Sequence, residues 1–309
     1  MKLPKILLPL CSLVIFCILG CGEDSSSKQK PPTENKKTPL IEEKKGTTTP
    51  EILVEKKEEE TKETPISTEK APVEIDMSKR GTLTGKVSFL GEPPVLAPFP
   101  ITKDNSTCCV GSSTDKPNHR LQLSADQGVK ETLIIIEGVT ETKPWPKLSR
   151  LLNQKNCAYD PFIQILDFGK KLKIHNSDDV LHNVHGYCNG TTAFNLAMPL
   201  KDREIKELLK ESGIYEIFCD AGHAWMSSYV YVSEHPYVTI TSEDGTYKIE
   251  GVPPGEYNVK LWHAGWAVES VLKDASGLTT GYKFAPPVTL IQKVKIETGK
   301  ESALIFELK

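Results

Sequence analysis

Tyr215-Glu216-Ile217-Phe218-Cys219-Asp220-Ala221-Gly222-His223-Ala224-Trp225-Met226 is the stretch around which the chain is read. Tyr215, Ile217 and Cys219 alternate at period two, which predicts a strand with one buried face. Ser227-Ser228-Tyr229-Val230-Tyr231-Val232 predicts a second strand directly after the loop. Between them, Cys219, His223 and Met226 fall in the pattern C-x3-H-x2-M. A thiol, an imidazole and a thioether seldom collect in one short loop for packing reasons. With a second histidine from elsewhere they form a set of soft and borderline donors that suits copper.

The second histidine is sought upstream. Gly169-Lys170-Lys171-Leu172-Lys173-Ile174-His175-Asn176-Ser177-Asp178-Asp179 reads as a strand entering a polar turn, followed by Val180-Leu181-His182-Asn183-Val184-His185. A strand ending in N-x-D, then H-N, then a C-x3-H-x2-M loop resembles the cupredoxin family of plastocyanin-like copper proteins, over roughly residues 81–232. The resemblance implies one copper ion held by His182, Cys219 and His223, with Met226 axial. It also implies that Asn183 fastens the ligand loop by hydrogen bonds. The loop spacing departs from that of plastocyanin and resembles the second half of the binuclear copper loop of cytochrome oxidase. Tyr215 stands where that loop has its other cysteine, so one copper is expected and not two. His185 is three residues past His182 and is expected on the opposite face of the strand; as a replacement for His182, or an added ligand, it stays an alternative. His119, His175, His235 and His263 are expected at surface or interface positions.

The N-terminus carries Lys2 and Lys5 before an apolar run from Ile6 to Leu19, too short for a comfortable membrane span. Ile18-Leu19-Gly20-Cys21 resembles a bacterial lipobox. Residues 1–20 are therefore expected to be a lipoprotein signal peptide, and Cys21 to be acylated, palmitate included. More than one acyl chain gives stable anchoring. Gly22 rather than Asp follows the cysteine, and the resemblance then implies the outer membrane, facing the periplasm or the cell surface. A secretory signal with a chance cysteine, or an uncleaved anchor, is the alternative. Residues 21–80, rich in Lys, Glu, Thr, Pro and Ser, are expected to be a disordered tether. As a flexible coil it would span roughly 45 Å. The formal net charge of −3 becomes −5 when Lys2 and Lys5 leave with the leader, which argues against a nucleic-acid partner.

Hydrophobic residues make up 38% of the chain, below the share usual in globular domains and consistent with such a tether. Gly81-Thr82-Leu83-Thr84-Gly85-Lys86-Val87-Ser88-Phe89 starts the ordered part. Leu133-Ile134-Ile135-Ile136 is a continuous apolar run that predicts a buried strand. A short charged helix is expected over residues 201–210. The fold class expected is all-β: a cupredoxin-like Greek-key sandwich over 81–235 and a smaller sandwich over 236–309. The string T-x-x-D-G-x-Y-x-I-x-G-V-P-P-G-x-Y from Thr241 to Tyr257 resembles carboxypeptidase regulatory-like, transthyretin-like sandwiches. The strand at Gly81 has a similar look, so an arrangement with the copper domain inserted between two halves of the second sandwich stays open.

Of eight cysteines, Cys11 and Cys17 leave with the leader, Cys21 takes lipid and Cys219 takes metal. Cys108, Cys109, Cys157 and Cys188 remain as disulfide candidates in an oxidising compartment. A vicinal Cys108–Cys109 bond would be strained, so Cys157 and Cys188 are each expected to pair with one of that couple. Ligation of metal by Cys157 or Cys188 is the competing idea. No G-x-S-x-G elbow, H-E-x-x-H helix or set of H-x-H pairs is present, so no catalysis is expected. The expected function is single-copper electron transfer with redox protein partners. Copper delivery without redox turnover, and an adhesive or scaffolding role with a degenerate site, are the alternatives.

Overall fold

The computed structural model describes residues 76–101, 107–108 and 113–309. The expected signal peptide 1–20, the expected lipidation site Cys21, most of the expected 21–80 tether, and Cys109 lie outside the described residues. Of the tether, Asp76 caps a 3-10 turn at Met77–Lys79. Arg80 then donates to the Glu141 carboxylate at 2.7 Å.

Among the described residues the fold is all-β and contains no α-helix. One sandwich carries the C-x3-H-x2-M loop. Its five-stranded sheet runs, in spatial order, Thr191–Met198, His182–Cys188, Gly213–Phe218, Ser227–Ser233 and Ile163–Asp167. Its four-stranded sheet runs Glu204–Leu208, Lys171–Asn176, Leu151–Lys155 and Ala158–Asp160. The inward residues alternate as the pleat requires: His182, Val184, Gly186 and Cys188 are buried, and Asn183, His185 and Tyr187 between them are half-buried. Leu152, Leu172, Ile174, Val184, Ile217 and Val230 fill the space between the sheets, each fully buried. Burying one such side chain stabilises the fold by about 1.5–3 kcal/mol.

The second sandwich does not begin at residue 236. Gly81–Phe89 lies between Thr246–Val252, antiparallel, and Glu301–Leu308, parallel. Leu133–Glu137 lies between Val238–Ile240 and Gly255–His263, and the latter pairs with Val288–Ile296. The strand pairing thus follows the interleaved arrangement, not the sequential division at 235/236. The reason is non-local hydrogen bonding: the N-terminal strand completes a sheet whose other members are C-terminal.

The Leu133–Ile136 run is apolar on both faces because two cores claim it. Ile134 and Ile136 join the core of the second sandwich, with Leu83, Val259 and Phe306. Leu133 and Ile135 meet Ile163, Ile165, Tyr229 and Trp262 in a third cluster between the sandwiches. Residues 201–210 are not a helix. Glu204–Leu208 is an edge strand in register with Lys171–His175, with Glu204 2.5 Å from Lys173. Tertiary pairing overrides the local preference of this charged stretch.

Candidate metal centre

His182 opens its strand and is fully buried. The neighbouring strand Gly213–Phe218 pairs with it antiparallel, Phe218 opposite His185, and so delivers Cys219 to the same end of the sheet. The chain turns through Gly222 at φ 83°, a left-handed conformation that favours glycine. The N–H of Met226 donates to the His223 carbonyl at 2.9 Å and closes the turn before the next strand. Cys219, His223 and Met226 are 4%, 4% and 2% exposed.

The donor atoms converge. His182 Nδ1 and His223 Nδ1 are 3.2 Å apart, and Cys219 Sγ is 3.5 Å from His223 Nδ1. One ligand atom from each of the three residues lies within 4.8 Å of the others. Met226 sits in the same buried cluster as Cys219 and Trp225. His185 faces the other way, as its place on the strand requires. Its ring bonds Asp220 at 2.6 Å and Thr192 at 2.9 Å and stacks on Tyr187.

The electrostatics prepare these groups to bind a cation. Burial, and then the neighbouring His182, push the His223 pKa down to about 4, leaving its ring neutral at pH 7. Burial also lowers His182, partly offset by the Asp178 carboxylate 2.9 Å from its Nε2. That contact holds the proton on Nε2 and leaves the Nδ1 lone pair facing His223. Burial pushes the Cys219 thiol up, while N–H groups of Asn183, Ala221 and His223 pull it back. The Asn183 N–H donates to Cys219 Sγ at 3.4 Å, and such a donor stabilises a thiolate. Two neutral imidazoles and a thiol held by amides, with Met226 in the same buried core, fit a copper ion.

Asn183 fastens the site from both sides. Its side-chain oxygen accepts from the Asp220 N–H at 3.2 Å and its amide donates to Asn195 at 2.5 Å. Three other residues were not singled out by sequence. Asp178 is the first; beyond His182, it accepts from the Asn156 and Cys157 N–H groups at 2.7 and 2.8 Å. The Tyr159 hydroxyl is aimed at the carbonyls of Asn183 and Phe218, bridging the two ligand segments. Trp225 Nε1 donates to the Cys157 carbonyl at 2.8 Å. The N-x-D spacing was the one available signal for Asp178; nothing in the sequence marks the other two.

Cys108 and Cys157 form a disulfide with Cα atoms 5.5 Å apart. Cys188, expected to pair, is instead a free, buried thiol. It lies at the far end of the His182–Cys188 strand, roughly 20 Å from the end where Cys157 sits. There it pairs in register with Tyr215, away from the Cys108–Cys157 bridge. His263 is 1% exposed within the second sandwich, its Nδ1 bonded to the Ala264 carbonyl at 2.7 Å.

Residues 211–279 match the family model described as polysaccharide lyase family 4, domain II. No curated protein matches the chain. Among solved structures the chain is similar to a purple cupredoxin from Nitrosopumilus maritimus, at 26% identity and a TM-score of 0.24, over 27% of this chain and 96% of that one. It is also similar to amicyanin from Paracoccus versutus, at 19% identity and a TM-score of 0.25, over 32% and 97%. A copper-containing nitrite reductase from Thermus scotoductus is similar at 14% identity and a TM-score of 0.24, over 32% of this chain and 25% of that one.

Proposed function

We propose that this chain is an electron carrier holding one copper ion through His182, Cys219 and His223, with Met226 as the axial donor. The observation that carries the reading is the buried convergence of two Nδ1 atoms at 3.2 Å and one thiol sulfur at 3.5 Å. Copper supplies one-electron chemistry when bound. The chain supplies rigidity: each donor sits on or beside a strand of one sheet, and Asp178, Asn183 and Tyr159 hold the ligand segments in place. A site fixed in this way reorganises little between oxidation states. The protein is read as a carrier without its own catalysis, exchanging electrons with redox proteins and not with nucleic acid.

The test is an absorption and paramagnetic-resonance spectrum of the Cu(II)-loaded chain beside Cys219→Ser. An intense thiolate-to-copper band that vanishes in the variant, with a reversible one-electron couple, supports the reading. Absence of both sinks it.

Attachment to a bacterial cell envelope through acylated Cys21, at the outer membrane, belongs to the same reading. It is supported by the Ile18-Leu19-Gly20-Cys21 sequence and by Gly22 after it. Partition of the expressed chain into detergent, lost in Cys21→Ser, tests it. Copper delivery is the second reading, favoured by further sulfur donors next to His223.

A further inference from the structure

The three candidate ligands are part of a larger donor cluster. A ring nitrogen of His223 also lies within 4.8 Å of the sulfurs of Cys108 and Cys157. Cys157 Sγ, an Asp178 oxygen and a His182 ring nitrogen form another such group. Three sulfurs, two imidazoles and one carboxylate are therefore contiguous. Two of the sulfurs are bonded to each other and offer no thiolate in this state.

The bridge is reachable. Cys108 and Cys157 are each 2% exposed, yet they line a cleft of about 320 Å³ together with Asp178 and Asp179. The acidic wall attracts cations toward the bridge.

We propose that the Cys108–Cys157 disulfide masks a second copper site, specific for Cu(I), which opens when the bridge is reduced. A dithiol reductant transfers two electrons and two protons to the bridge and is itself oxidised to its disulfide, leaving two protein thiols. Cu(I) then displaces both thiol protons to solvent and is held by the two sulfurs, with His223 at its edge. Paired thiolates select Cu(I) over harder cations. The site extends the single-copper reading by a second ion and needs no sulfur from Cys219.

The experiment titrates the full chain with Cu(I) under anaerobic conditions against a coloured Cu(I) chelator. It is run before and after reduction by a water-soluble phosphine that is then removed; the phosphine takes oxygen from water as the bridge gains two hydrogens. Bound Cu(I) is expected to rise from one to two per chain in the unaltered protein. In Cys219→Ser, reduction still adds one; in Cys108→Ser/Cys157→Ser it adds none. No gain on reduction of the unaltered chain overturns the proposal, whatever the variants do. So does a gain that the double variant keeps, a gain that Cys219→Ser abolishes, or a gain accompanied by loss of the near-ultraviolet circular dichroism of the folded chain. Failure of the single-copper reading has a different signature, absence of the Cu(II) charge-transfer band in the oxidised chain.

Discussion

The Asp178 carboxylate stands 2.9 Å from His182 Nε2 while also accepting the N–H groups of Asn156 and Cys157. One acidic side chain thus orients a candidate ligand and anchors the turn that carries the disulfide. Asp178→Asn can keep at most part of this set, because its amide nitrogen donates where the carboxylate accepts. Copper affinity is expected to fall about 10–100-fold, the usual effect of losing a ligand's hydrogen-bond partner. Competition with a copper chelator measures it. Unchanged affinity with a correctly folded variant would show that His182 needs no such partner.

Gly186 faces Phe194 across the sheet that carries His182. A Cβ at Gly186 would lie 2.4 Å from the Phe194 ring, which is itself 8% exposed and packed in the core. Gly186→Ala is therefore expected to destabilise the fold by about 1–3 kcal/mol, the usual penalty for overpacking. Urea denaturation reads the loss. Adding Phe194→Leu, which withdraws the ring, is expected to recover part of it.

The legible parts of this molecule were the local ones. Tyr215, Ile217 and Cys219 alternate, and the strand they predict is there. The Leu133–Ile136 run reads as buried, although only the two flanking cores explain why both faces are apolar. What stayed hidden depends on partners distant in sequence. Glu204–Leu208 became a strand because Lys171–His175 offered an edge, and no pattern in its own charged residues announces that. Cys188 looked like a pairing candidate by count, yet its strand register holds it against Tyr215. The parallel pairing of Gly81–Phe89 with Glu301–Leu308 decides the domain organisation and joins segments more than 200 positions apart in sequence. At the site, the residue types of the ligands were visible in the sequence and the N-x-D spacing pointed at Asp178; Tyr159, which bridges the two ligand segments, carried no such mark.

Arg120 is 3% exposed and joins elements of both sandwiches. Its guanidinium donates to the Gly265 carbonyl at 2.7 Å, the Ser227 hydroxyl at 2.9 Å and the Tyr229 hydroxyl at 2.6 Å. The Phe284 ring lies 3.6 Å below its plane. Arg120→Met keeps the stem but leaves a buried carbonyl and two hydroxyls without their donor. A loss of about 3 kcal/mol in unfolding free energy is expected. Arg120→Lys is expected to recover little, since an ammonium lacks the planar fork that reaches three separate acceptors. Equal stability of the lysine variant and the parent would refute this account.

His263 is expected to make stability pH-dependent. Burial pushes its pKa down from 6.5 to about 4 in the folded chain. The unfolded chain takes up the proton near pH 6.5, and the folded chain refuses it until about pH 4. Between those values the unfolded state binds more protons, so stability falls as pH is lowered through 6.5 and levels off near 4. The loss attributable to this one residue is about 3 kcal/mol over that window. Above pH 7 it contributes nothing, because the ring is neutral in both states. His263→Gln cannot take up a proton, so its urea midpoints at pH 7.5 and pH 4.5 should lie closer together than those of the parent. The Ala264 carbonyl, which accepts from the ring at 2.7 Å, can accept from the glutamine amide instead, keeping the buried acceptor satisfied. If both proteins lose the same stability on acidification, the proton responsible binds elsewhere.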